Sequence, residues 1–104
     1  MARETITESR EGGILLVTLN RPERKNAFNH RMWCELRDVM AEAREDDCVR
    51  VLVMTGAGSA FTAGADLAEM ADPAILGSVS EHAFSGCVDR FQAFDKPLVA
   101  AVNG

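Results

Sequence analysis

No apolar run in this 104-residue chain approaches the roughly 18 residues of a membrane span, so no transmembrane helix is expected. The first ten residues, MARETITESR, are polar and charged and lack the apolar stretch of a secretory leader. Cysteine is scarce. Cys34, Cys48 and Cys87 are odd in number and widely spaced, which fits neither a disulfide framework nor a zinc pattern. Free thiols in a reducing compartment, and therefore a cytoplasmic protein, are the expectation. A broad positive field is also lacking: the formal charge is -5 and the pI about 4.9. Arg21, Arg24 and Lys25 cluster in one short loop, enough to meet a small anion but not to track a nucleic-acid backbone.

What is present reads as one small α/β domain. Hydrophobic residues make up 47% and charged residues 26%, an ordinary globular balance. Residues 14–19, Ile-Leu-Leu-Val-Thr-Leu, are almost continuously apolar and predict a strand buried on both faces. Gly12-Gly13 precede it as a turn, and Asn20-Arg21-Pro22 end it. A polar loop follows over 23–29, with Asn29 placed to cap a helix over 30–45. Met32, Leu36, Val39, Met40 and Ala43 recur at three- and four-residue spacing as its buried stripe. Glu35, Arg37, Asp38, Glu42, Arg44 and Glu45 fall mostly on the opposite face. Residues 48–54, rich in β-branched side chains, predict the next strand. Strand, helix, strand implies a parallel crossover.

Thr55 to Ser59 form a loop at the carboxyl end of that strand, where α/β sheets bind ligands. The following Ala-Phe-Thr-Ala-Gly-Ala-Asp, 60–66, consists largely of small residues. Such a run implies a close backbone approach, with Gly64 free to take a conformation other residues resist and Asp66 placed to cap a short helix over 67–71. A tight structural turn is the alternative. Pro73 and Gly77 mark a break, a helix is expected over 80–94, and a third buried strand over 98–102. Three parallel strands with two crossovers would leave apolar faces and two open edges. The chain also stops as a strand enters its loop, so further chain is expected.

Minor candidates carry little. His30 and His82 have no serine or cysteine at a persuasive spacing and read as surface or capping residues. Gly56-Ala57-Gly58 lacks the lysine of a phosphate loop and the spacing of a dinucleotide fingerprint. Asp46, Asp47 and Asp66 are not spaced as a calcium loop.

Four segments together carry a resemblance. They are Leu19-Asn20-Arg21-Pro22 with Asn26-Ala27-Phe28; Val51 to Gly58; Phe61-Thr62-Ala63-Gly64-Ala65-Asp66-Leu67 with Met70; and Lys96-Pro97 through Asn103-Gly104. In this order and spacing the chain resembles the N-terminal portion of the enoyl-CoA hydratase/isomerase family, the crotonases. The resemblance implies an α/β crotonase-like (ClpP/crotonase) ββα-spiral fold, incomplete in this chain. It implies an acyl-CoA thioester as substrate, with coenzyme A part of that substrate and no metal or redox cofactor.

The same resemblance assigns roles. The backbone N–H of Ala65 would be one of two oxyanion-hole donors to the thioester carbonyl; losing such a donor typically costs about 3–4 kcal/mol of transition-state stabilisation. Ala63, Asp66 and Leu67 would lie along the coenzyme. Glu23, Arg24 and Lys25 match the segment that covers its nucleotide end, largely through backbone, and Ala27 is grouped with them. Arg24 and Lys25 either meet phosphates or are solvated loop charges. Met70 and residues 72–84 would border the acyl pocket, with Phe84 more simply read as core. The second donor and the two glutamates of a hydratase fall beyond residue 104. The implied reaction is hydration of a 2-trans-enoyl-CoA to a 3-hydroxyacyl-CoA. The alternatives are an isomerase, another crotonase lyase or hydrolase, a non-catalytic acyl-CoA-binding scaffold, or one half of an enzyme completed by a companion chain. Trimers or hexamers are the implied assembly.

Overall fold

In a computed structural model of the chain, described for residues 3–64, 89 and 92–103, a four-stranded sheet carries one long helix. Strands β1 (Ile6–Glu11) and β2 (Ile14–Leu19) form an antiparallel hairpin, with Ile6 opposite Leu19 and Glu11 opposite Ile14. Gly12 makes the turn in the left-handed region, at φ +59°, which glycine tolerates without steric cost. After a 3-10 turn at Pro22–Arg24 comes helix α1 (His30–Glu45), then β3 (Val51–Gly56) and β4 (Leu98–Ala100). The sheet order is β1-β2-β3-β4, with β2, β3 and β4 parallel.

Helix α1 has the bounds its periodicity predicts. The Asn29 side chain accepts from the Met32 N–H at 2.8 Å, satisfying one orphan donor of the first turn. Met32, Leu36, Val39, Met40 and Ala43 are buried and join Ile6, Leu15, Val17, Leu19, Leu52 and Met54 in one core cluster. At the other end, the Lys96 ammonium donates to the carbonyls of Ala43 and Asp46, both at 2.7 Å. That contact meets the negative end of the helix dipole and ties the approach to β4 onto α1.

Several expectations need correction. The sheet is mixed, because β1 adds an antiparallel edge strand that the polar string ITESRE does not advertise. Strand β2 is not buried on both faces. Leu15, Val17 and Leu19 are buried, whereas Leu16 and Thr18 are half-buried and Ile14 is 46% exposed. Helix α1 covers one side, so burial follows the two-residue period of the pleat. On β4, Leu98 and Val99 are exposed as well. The third strand begins at Val51 rather than at 48, because Asp46 draws the preceding residues into a turn. Its carboxylate accepts from Cys48 N–H and its carbonyl from Val49 N–H. The strand continues to Gly56 because Thr18 and Leu19 still offer ladder partners. The last strand ends at Ala100, two residues early.

Glu35 is buried rather than on the open face. Its carboxylate accepts from the Glu4 and Thr5 N–H groups at 2.9 and 2.8 Å and from the Thr5 hydroxyl at 2.6 Å. These bonds fasten the chain before β1 onto α1. Of the helix expected over 80–94, Asp89, Gln92 and Ala93 are helical, and Phe94 packs against the core. The short helix expected over 67–71, with Met70, His82, Phe84 and Cys87, lies outside the described residues.

Candidate functional site

The carboxyl ends of β2, β3 and β4 lie side by side, and three loops leave from there: 20–28, 57–64 and 101–103. The first loop is shaped by two consecutive residues with positive φ, Lys25 at 52° and Asn26 at 57°. This is an uncommon conformation for residues with a Cβ. Local bonds stabilise it: Lys25 N–H to Pro22, Asn26 N–H to Arg21 and Ala27 N–H to Arg24. The Arg21 guanidinium also donates to the Ala27 carbonyl.

The outcome is an edge of backbone groups facing the small-residue run. Ala63 N–H donates to the Lys25 carbonyl at 2.9 Å, the Thr62 hydroxyl to the Asn26 carbonyl at 2.7 Å, and Phe28 N–H to the Gly64 carbonyl at 2.6 Å. Gly64 sits at φ +95°, the left-handed half of conformational space. The run 62–64 is therefore laid against 25–28 and not free in solvent. Glu23, Arg24 and Lys25 present exposed side chains on the outer side of the same loop, Ala27 is half-buried beneath it, and Ala63 is exposed. Ala65, Asp66 and Leu67, the expected donor and its neighbours, lie outside the described residues.

Two asparagines that the sequence pattern does not single out grip the second loop. Asn26 is fully buried. Its amide donates to the carbonyls of Ala57 and Ala60 at 2.9 and 2.8 Å, while its oxygen accepts from Arg21 N–H at 2.7 Å. Asn103 reaches the same loop from β4. Its amide donates to the Gly56 and Gly58 carbonyls at 3.0 and 3.1 Å, and its oxygen accepts from Gly56 N–H at 3.2 Å. Gly56 itself is required by close approach: a Cβ there would meet the Ala60 carbonyl and the Phe61 backbone. The legible signal for both asparagines is chemical. Asn carries donor and acceptor on one planar group, and at Asn26 it also tolerates the positive φ.

Beside the loops, between α1 and the β3–β4 pair, a cavity of about 410 Å³ is lined by Phe28, Trp33, Leu36, Met54 and Phe61 together with residues of β4. Among the described residues its walls hold no titratable group. Among the described residues, no cluster of three His, Cys, Asp or Glu side chains is placed to hold a metal. His30 does have a cysteine partner, contrary to the spacing argument: Cys34 Sγ lies 3.5 Å from its Nε2, one helical turn on.

Residues 9–104 match the family description "Enoyl-CoA hydratase/isomerase". The chain belongs to this family. It is 40% identical over 106 residues to the 1,2-epoxyphenylacetyl-CoA isomerase of Escherichia coli (strain K12), covering 97% of this chain and 40% of that protein. It is 42% identical over 96 residues to the 2,3-dehydroadipyl-CoA hydratase of the same strain, covering 92% and 37%. Its fold superposes with a TM-score of 0.88 on a solved structure described as an enoyl-CoA hydratase/carnithine racemase from Magnetospirillum magneticum. That pair is 33% identical and shares 99% of this chain and 40% of the other. The hairpin, the crossover helix α1 and the open sheet thus match part of the crotonase ββα spiral. It spans about two fifths of the length of the curated relatives it matches.

Proposed function

We propose that the chain builds the coenzyme-covering loop and the first oxyanion donor of an acyl-CoA enzyme that hydrates 2-trans-enoyl-CoA to 3-hydroxyacyl-CoA. The supporting observation is the edge between 25–28 and 62–64. Here the loop that family resemblance assigns to the nucleotide end is bonded to the run assigned to the thioester. The bond from Phe28 N–H to the Gly64 carbonyl anchors the end of the described run, just before the residue that the resemblance assigns as donor. Hydration pushes negative charge onto the thioester oxygen as water adds at the β-carbon, and a preset donor stabilises that charge. Ala63, Ala65, Asp66 and Leu67 border the coenzyme in this reading, and Glu23, Arg24, Lys25 and Ala27 cover it. The acid–base glutamates and the second donor belong to the remainder of the complete protein, which assembles as a trimer or hexamer in the cytoplasm.

An isomerase is the second reading. It is supported by likeness to a human relative named as an enoyl-CoA delta isomerase, 37% identical, beside 42% for the one named as a hydratase. Both reactions use the same oxyanion, so product analysis separates them. The complete protein is incubated with a 2-trans-enoyl-CoA and, separately, with its 3-enoyl isomer. Hydration shows as loss of the conjugated thioester absorbance with gain of a 3-hydroxyacyl product; isomerisation shows as gain of conjugation from the 3-enoyl substrate. The shared part of the reading is tested by the infrared carbonyl band of a bound, isotope-labelled saturated acyl-CoA. An oxyanion donor lowers that frequency; an unshifted band refutes the site.

A further inference from the structure

We infer that Asn103 is a positioning residue: its side-chain amide sets the chain leaving β4 against the loop leaving β3, and so holds the thioester-binding backbone in its working geometry. This rests on the acyl-CoA reading above.

The argument starts from parallel-strand geometry. Parallel neighbours diverge into separate loops at their carboxyl ends, and nothing in the ladder itself fixes one loop relative to the other. The ladder between β3 and β4 pairs Met54 with Ala100, and the Ala101 N–H adds a bond to the Met54 carbonyl. Beyond that point side chains take over. The Thr55 hydroxyl donates to the Ala101 carbonyl at 2.9 Å. Asn103 then occupies the place of a further ladder residue. Its oxygen accepts from Gly56 N–H, with the Thr55 hydroxyl at 3.4 Å, and its nitrogen donates to the Gly56 and Gly58 carbonyls. One planar group thus satisfies both backbone groups of Gly56 and the carbonyl two residues on. From the opposite side the buried Asn26 amide holds Ala57 and Ala60. The loop 56–60 is clamped between two amides, and it leads directly into 62–64.

The amide is needed for its polarity as well as its shape. Aspartate has nearly the same outline but replaces the donor with an acceptor, which would face the carbonyls of both Gly56 and Gly58. The test compares Asn103→Asp and Asn103→Ala with the parent in the complete protein. Three quantities are read: steady-state turnover of 2-trans-enoyl-CoA, the affinity for coenzyme A, and the infrared carbonyl band of a bound labelled saturated acyl-CoA. The expected result is a fall in kcat of roughly 10- to 100-fold with KM within about threefold. The carbonyl band should return toward its value in water, the aspartate being worse than the alanine. Coenzyme A affinity should be retained, since the bonds of the Asn103 amide go to Gly56 and Gly58 and not to the covering loop 22–25.

Parent-like kcat and carbonyl band in both variants overturn the inference. So does a loss in which coenzyme A binding and melting temperature fall in step with kcat, because that pattern is a structural role only. If the aspartate variant does not fold, the alanine variant decides by the same criteria. A parent protein with no carbonyl shift sinks the acyl-CoA reading itself. A shifted parent with unaffected variants sinks only the role of Asn103.

Discussion

The Phe28 N–H reaches the Gly64 carbonyl at 2.6 Å, joining the residue just before the α1 cap to a glycine at φ +95°. The bond spans a large sequence separation and fixes one peptide plane at the carboxyl end of the sheet. The conformation at Gly64 is therefore held from outside the loop, which is why a residue free to adopt it is needed there.

Two glycines near this bond should fail for different reasons. Among the described residues nothing lies within 4 Å of a Cβ built on Gly64, so Gly64→Ala meets backbone strain and should cost about 1–2 kcal/mol. A Cβ on Gly56 would press on the Ala60 carbonyl and the Phe61 backbone, neither of which is a flexible side-chain end. Gly56→Ala should cost more, about 2–3 kcal/mol. Urea unfolding of the two variants beside the parent gives the order; a milder effect at Gly56 would show that the loop yields easily.

Glu35 should make acid stability depend on the N-terminal segment. Burial is the largest influence and by itself pushes this carboxyl up. The Thr5 hydroxyl, the Glu4 and Thr5 N–H groups and the Arg31 charge together outweigh it, so Glu35 titrates below the ordinary carboxylate value. A depressed folded value means the stabilisation is present above the unfolded value, about 4.3. It is lost as pH falls through the folded value below that. Glu35→Gln should cost about 1–3 kcal/mol at neutral pH and flatten stability against pH on the acid side. An unchanged acid limb in the variant would assign the loss to other carboxylates.

How much of this was legible follows from how local each relationship is. Helix α1 was readable to its ends, because a cap and a stripe at helical spacing are encoded within one stretch of chain. Strand β1 was not. Only Ile6 of its six residues is buried, so an edge strand of this kind leaves no periodic trace, and it exists through its ladder to β2. Glu35 looked like a surface carboxylate because its partners, Glu4 and Thr5, lie about thirty residues back. At the site, the family motifs marked the loops 20–28 and 57–64 that the structure bonds together, yet the amides of Asn26 and Asn103 gain meaning only when residues 57–60 stand between them. That juxtaposition comes from the sheet register, which no single segment specifies.

Lys96 belongs to a motif that accompanies the family, and the structure gives it a packing role. Its ammonium bonds two carbonyls at the end of α1, where partial negative charge gathers. Lys96→Met keeps the aliphatic stem and removes the charge. It should lower unfolding stability by about 1–2 kcal/mol, while the carbonyl band of a bound acyl-CoA stays at the parent value. A shift in that band would instead connect Lys96 to the site through β4.

The exposed charges of the 22–25 turn separate two ways of covering a nucleotide. Arg24 and Lys25 point outward beside Glu23, and the Lys25 carbonyl is already engaged by Ala63. If their side chains meet phosphates, replacing both with alanine should weaken coenzyme A binding about three- to tenfold at low salt. The difference should shrink as ionic strength rises and the Debye length falls below about 10 Å. A pantetheine thioester has no nucleotide and no phosphate, so its binding should be untouched by the same pair of changes. Equal losses for both ligands would mean that the side chains act by shaping the loop. No loss for either would leave the backbone as the whole of the cover and the two charges as solvated.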